Sequence, residues 1–340
     1  MPTRRTFLRG AGATALLPIA SPAIVSAATP VDWKLASQFS PVPAVSPFAE
    51  AQYISDRVAA ATGGEFDISL FGGGSLVSPA ETLNAVRTGL VECGQIFLDA
   101  YYAENEAFLF GAGVPFGLNA AQFLGWWNAA GHKHINGILE ADNVFAMPCG
   151  DLGKRTGGWY RDPLKGKASL QGLKIRIHPP GTAIFTRLGA VPVAMPAGEI
   201  YPALAAGIID AADYMNLSID RSVKFHEVAP NVYADNPWQP NRMVVLVVNK
   251  TAWDALPTVF KNALSNSCAK AHNRSLRRYR KSDKSAKKAL KKQGAAFLDY
   301  PKSIEKRLRT AANTEMKLLA QSNPDFKKAW KAFKRYKKKL

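Results

Sequence analysis

Residues 198–213 read "GEIYPALAAGIIDAAD". Apolar positions at helical spacing run up to Gly207, and a short apolar strand follows that ends on an acid, Asp213. A glycine at a helix end marks a left-handed turn that other residues adopt only at a cost. Residues 81–95, "ETLNAVRTGLVECGQ", lie onto 199–213 without a gap. Glu81/Glu199, Ala85/Ala203 and Gly89/Gly207 are identical, and Val86/Leu204, Leu90/Ile208, Val91/Ile209 and Glu92/Asp210 are close substitutions. A helix–glycine–strand unit is a common device, so the match alone does not prove duplication. If it is real, the chain holds two similar lobes, and each unit carries its last residue, Gln95 or Asp213, toward a sheet edge. In open α/β sheets ligands bind at that carboxyl edge.

The surrounding sequence supports an α/β reading. Strand patterns fall at 31–39, 66–71, 90–97, 143–150, 172–179, 191–196 and 242–250. Helical patterns fall between them at 48–62, 120–140 and 181–190, and fill the chain after about residue 251. Ser78-Pro79-Ala80-Glu81 has the form of a capping box that opens the first unit's helix. "RMVVLVVNK" (242–250) is apolar enough to be buried on both faces. The 340 residues allow two lobes of ordinary size.

Several chemistries lack their signatures. The glycine run 72–74 is not followed by the Gly-Lys-Ser/Thr of a phosphate loop. Cys93, Cys149 and Cys268 lack metal or disulfide spacing, and His132 and His134 have no acid or cysteine at ligand spacing. Gly-x-Ser-x-Gly, His-Glu-x-x-His and Cys-x-x-Cys are all missing, so neither catalysis, nor a metal, nor a cofactor is signalled.

Arg4-Arg5 precede Phe7-Leu8, a mildly apolar run at 11–25, and "VSA" ending at Ala27. This is the form of a twin-arginine export signal over 1–27, and it predicts a periplasmic protein beginning near Ala28. The formal charge is +18, yet residues 270–340 alone carry 24 Lys and Arg against 5 Asp and Glu. The basic character therefore belongs to the tail. A solvated helical face accounts for it, with an anionic membrane surface or an acidic permease face as the alternatives. Nucleic acid is not an expected partner of an exported protein.

Taken in order, "QGLKIRI" (171–177), "LGAVPVAMPAGEIYPAL" (188–204), "GIIDAADY" (207–214) and "VNKTAWDAL" (248–256) resemble the DctP-like substrate-binding proteins of tripartite ATP-independent periplasmic (TRAP) transporters. "GGWYRDP" (157–163) and "KFHEVAPNVY" (224–233) look most like the branch that binds α-keto acids. The resemblance implies a two-lobed, periplasmic binding protein-like α/β fold with a hinge and C-terminal helices. It implies lobe I at 30–152 with 242–265 returning to it, lobe II at 153–241, and bracing helices at 266–340. It further implies capture of a small organic acid, delivered to a sodium-coupled membrane permease. Keto-acid binders of this branch can pair through an extra C-terminal helix. This chain ends at "RYKKKL" without one, so a monomer is expected. A sensory or adaptor protein of the same fold is the rival reading, and an exported enzyme a more distant one.

In the family the arginine of the "KIR" strand grips the ligand carboxylate, and here that is Arg176. The chemistry agrees, because a guanidinium is always charged and its flat fork matches two carboxylate oxygens. The keto-acid branch also holds a cation beside the ligand. The matching positions here read Arg155, Asp213-Tyr214 and Gln239, so a metal is not expected and Arg155 is expected to replace it by pairing with Asp213. Further expected binding residues are Asp99, for a hydroxyl or amine on the ligand, with Tyr101 beside Tyr102, Phe39, and Asn216 as a donor. Trp159 and Trp238 fit either core or pocket.

Overall fold

The computed structural model of the protein describes residues 29–42, 45–235 and 238–340. The twin-arginine stretch and its cleavage pattern lie outside the described residues. The strands β1 (Val31–Ser37), β2 (Phe66–Phe71), β3 (Cys93–Ile96) and β4 (Val144–Asp151) belong to a first sheet. The chain then crosses to a second sheet and lays down β5 (Trp159–Tyr160), β6 (Lys174–Arg176), β7 (Val191–Val193), β8 (Ala211–Ala212) and β9 (Asn231–Val232). It crosses back to add β10 (Met243–Asn249) to the first sheet, and β11 (Ala296–Phe297) finally joins the second.

The two sheets repeat one arrangement. β1 pairs in parallel with β2 and β3, as β6 does with β7 and β8. β10 lies antiparallel between β3 and β4, as β5 lies antiparallel between β8 and β9. β5 and β10 each directly follow a crossing and take the same place in the sheet they enter. The repeat quoted above is therefore a repeat of lobes. Gly89 and Gly207 both adopt left-handed φ angles, 74° and 70°.

β10 shows why its composition was decisive. Met243, Val245 and Val247 enter one core cluster, and Val244, Leu246 and Val248 enter another on the opposite face. Alternate side chains of a strand point to opposite faces, so a strand covered on both sides must be apolar throughout. Burying each such side chain contributes roughly 1.5–3 kcal/mol.

Two local expectations are corrected. The Ser78 side chain makes no cap hydrogen bond, because residues 79–81 form a 3-10 turn before the helix Thr82–Arg87 begins. A complete capping box forms elsewhere, between Asn119 and Gln122. The helical stretch 120–140 is interrupted by a π turn at Trp127–Gly131, where the His132 ring bonds the Trp127 carbonyl.

The basic C-terminal segment is helical. Thr258–Lys292 packs on β4, on Phe48–Thr62 and on Leu217–Ser222, and its Ala286 and Leu290 join the core cluster that holds Trp159, Ala212 and Val232 of the second sheet. Arg277, Arg280, Lys284, Lys288, Lys291 and Lys292 are exposed. Arg278 is not part of that solvated face. It joins Arg274 on the carboxylate of Glu50, which is 1% exposed. Lys302–Ser322 packs on Gly181–Thr186, and Pro324–Lys337 on His132–Leu139.

Candidate functional site

The second unit ends where β6 and β8 end. Asp213 donates its N–H to the Arg176 carbonyl at 2.8 Å, and Arg176 Nη1 donates to the Asp213 carbonyl at 2.8 Å. This reciprocal bond fixes the guanidinium at the strand end. Burial pushes Arg176 down to about 10, with the Asp213 charge opposing, so the group stays charged at neutral pH. The Tyr214 ring lies 5.7 Å from it.

Both crossings converge on the Asp213 carboxylate. Arg155, from the outward crossing, donates Nη2 to Asp213 Oδ2 at 2.9 Å and to the Tyr214 carbonyl at 2.6 Å. Gln239, from the return crossing, donates Nε2 to the same Oδ2 at 3.2 Å. The Arg155 N–H also donates to the Gln239 carbonyl at 3.2 Å, which ties the two crossings together.

The facing wall carries a second buried ion pair. Arg242, one residue before β10, grips Asp99 through Nε (3.1 Å to Oδ2) and Nη2 (2.9 Å to Oδ1). Its guanidinium lies 3.8 Å over the Phe97 ring, and its Nη1 meets the Met215 sulfur at 3.8 Å. Between the walls is a small cavity of about 30 Å³ lined by Asp99, Arg155, His178, Trp238, Gln239 and Arg242, among others. Burial and the neighbouring arginines hold His178 well below its usual range, so it is neutral at pH 7. A larger groove of about 660 Å³ lies along the Thr258–Lys292 helix. Its arginines, Arg277 and Arg280, are exposed, so it lacks the buried, converging ions of the cleft.

Arg155, Arg176, Asp213, Tyr214 and Gln239 come together as expected, with Asp99 opposite. The other assignments are corrected. Gln95 is turned into its own lobe, accepting from Ser37 Oγ at 2.8 Å and donating to the Pro47 carbonyl at 2.9 Å. Tyr101 accepts from the Leu83 N–H at 3.1 Å and donates to the Pro79 carbonyl at 3.3 Å, because the 3-10 turn at 98–101 swings it back over the first unit. Tyr102 packs against the core beside it. Phe39 stands one layer back, edge-on to Phe97 at 4.8 Å. Asn216 caps the helix Leu217–Ser222 through Ile219 N and spends its amide N–H on the Leu152 carbonyl at 3.2 Å. Asp99 lines the cavity and is ion-paired with Arg242. Trp159 is core, its indole N–H on Asp220, whereas Trp238 lines the cavity.

Arg242 and Asn241 were not foreseen. The available signal was an arginine abutting the most apolar strand of the chain, where a charge needs a buried partner.

Arg155 Nη2 bridges the Asp213 carboxylate, through Oδ2, and the Tyr214 carbonyl, which brings a fixed positive charge to that carboxylate, while Asp213 Oδ1 has no partner within the protein. Among the described residues no three His, Cys, Asp or Glu side chains are grouped to hold a metal ion.

The model of bacterial extracellular solute-binding proteins, family 7, matches residues 43–323. The chain is 30% identical over 311 residues to the monocarboxylate 2-oxoacid-binding periplasmic protein of Nostoc sp. PCC 7120, covering 91% of this chain and 85% of that one. It is 28% identical to the 2,3-diketo-L-gulonate-binding periplasmic protein of Escherichia coli over 66% of this chain and 68% of that one. Among solved structures, a TRAP transporter solute-binding protein from Bordetella bronchiseptica, with copurified calcium and picolinate, superposes with a TM-score of 0.87 at 32% identity, covering 91% of this chain and 92% of that one. A TRAP periplasmic solute-binding protein from Colwellia psychrerythraea, with bound calcium and pyruvate, shares the fold, with a TM-score of 0.87 at 23% identity over 91% and 95% of the two chains.

Proposed function

The chain belongs to family 7 of the bacterial extracellular solute-binding proteins, and from that premise we propose that it captures a small monocarboxylate between its lobes and delivers it to a TRAP-type, sodium-coupled membrane permease. One observation carries the reading. Arg155 is paired with Asp213 and Arg242 with Asp99, but Arg176, 5% exposed, has no carboxylate within ion-pair distance among the described residues. A buried charge without a counterion is costly, so the site lacks one negative charge and a monoanion supplies it.

The binding sequence follows from the geometry. Open lobes admit the acid to Arg176. Rotation about the two crossings, 152–158 and 233–242, brings the Asp99–Arg242 wall over it. Closure removes water, and the lowered dielectric strengthens the ion pair. Arg155 supplies positive charge beside the ligand, whereas the Bordetella bronchiseptica protein copurified with calcium. The exposed lysines of the tail are a solvated face, and Arg4-Arg5 direct export to the periplasm by the twin-arginine route.

A thermal-shift screen against small organic acids tests this in the wild type and in Arg176→Ala. A ligand at 100 times its Kd adds about 2.7 kcal/mol and raises the midpoint visibly. Loss of Arg176 weakens binding by roughly 2–5 kcal/mol. A folded, ligand-free protein that no carboxylate stabilises would remove the carboxylate clamp. Stoichiometric calcium or sodium coordinated in the cleft of the purified protein would remove the role given to Arg155.

A further inference from the structure

The cavity wall also carries acceptors that a carboxylate cannot satisfy. Asn241 and Gln239 both line the cavity, are 3% and 9% exposed, and stand two apart on the return crossing. The amide orientation of each is forced by its neighbours. Gln239 Nε2 faces the Asp213 carboxylate, which only accepts, so Oε1 is turned away from it. Asn241 Nδ2 donates to the Ala112 carbonyl at 3.2 Å and to Asp151 Oδ2 at 3.3 Å, so its Oδ1 is likewise free of them. Neither Gln239 Oε1 nor Asn241 Oδ1 has a hydrogen-bond partner within the protein. Nearby, Arg155 Nε is unpartnered, and Arg242 Nη1 has a thioether as its bonding partner.

Buried amide oxygens without donors are costly, and a small donor entering this cavity of about 30 Å³, a water or a ligand hydroxyl, can reach them. A keto oxygen only accepts, so it serves the guanidinium donors and leaves both amide oxygens orphaned. A hydroxyl does both, accepting from a guanidinium and donating to an amide oxygen. An ammonium would donate as well. A zwitterion, however, adds no net negative charge to the site and brings a further cation among three arginines.

Resting on the monocarboxylate reading, we propose that the ligand is a small hydroxy monocarboxylate, with Gln239 and Asn241 as the residues that select a hydroxyl over a keto group at that site. Asp99, on the facing wall of the same cavity, holds Arg242 in position.

Three acids on one three-carbon frame test this: pyruvate with no hydroxyl, lactate with one, glycerate with two, compared by calorimetric titration of the intact exported protein. Affinity is expected to rise in that order, by about tenfold or more for each orphan oxygen satisfied. Gln239→Met is expected to shrink the ratio of hydroxy-acid to keto-acid affinity, whatever it does to both affinities in common. The wild-type series stands even where that variant fails to fold. Pyruvate binding as tightly as both hydroxy acids would overturn the inference and leave monocarboxylate capture intact. Alanine binding tighter than lactate would overturn it as well. If no carboxylate bound at all, monocarboxylate capture would fall first, and this inference with it.

Discussion

The unit at 79–95 and the unit at 197–213 are built alike. Each is a 3-10 turn, a six-residue helix, a left-handed glycine and a strand parallel to its neighbour. Val91 donates to the Ala85 carbonyl, and Ile209 to the Ala203 carbonyl. Glu92 accepts the backbone N–H of Lys34 at 2.7 Å, and Asp210 that of Lys174 at 2.9 Å. The units part at their last residue. Gln95 is neutral and satisfied entirely within its own lobe, whereas Asp213 is charged and gathers groups from both crossings. The same local device thus serves structure in one lobe and assembles a site in the other. What differs is whether the crossings run past the strand end.

The largest effect that would sharpen this contrast is on stability. Asp213→Ala leaves the Arg155 guanidinium buried without its counterion and is expected to cost about 3–5 kcal/mol in denaturant unfolding. Gln95→Ala leaves neutral partners unsatisfied and is expected to cost about 1–3 kcal/mol. Ligand affinity at the cleft should stay within about twofold in that variant, since Gln95 contacts its own lobe. Equal costs for the two substitutions would break the asymmetry.

Gly89→Ala and Gly207→Ala probe the shared half of the comparison. Both glycines hold left-handed φ, and each substitution is expected to cost about 1–2 kcal/mol. A Cβ at Gly207 would also meet Arg161 Nη1 at 2.5 Å, but that is the end of a flexible side chain. Midpoints that differ widely between the two variants would show that the units are not equivalent.

The smallest effect is in pH. Asp220, beside the second unit, is pushed up to about 7 by burial, which outweighs its bonds from Trp159, Thr156 and the Met215 N–H. A carboxyl whose folded pKa lies above its unfolded value stabilises fully below about pH 4, and that contribution is lost as pH rises toward 7. The melting midpoint is expected to fall by a few degrees across that window and to fall less in Asp220→Asn. Asp151, likewise raised to about 7, keeps part of the slope. A variant with an unchanged pH profile would show that Asp220 is ionised throughout.

The sequence by itself determined the pattern of lobes. Helix stops, strand composition and the repeat are local, because a glycine at a helix end and a run of β-branched residues act through their own backbones and faces. The same locality put Arg176 at a strand end and Asp213 at the close of the second unit. Only the tertiary structure decided which polar residues meet. Arg242 reaches Asp99 across 143 positions, and Gln239 reaches Asp213 from the return crossing. Tyr101 and Asn216 had the right chemistry for a cleft, yet short turns pointed them into caps. A buried polar group must find a partner, and which one it finds depends on how the two crossings thread between the sheets.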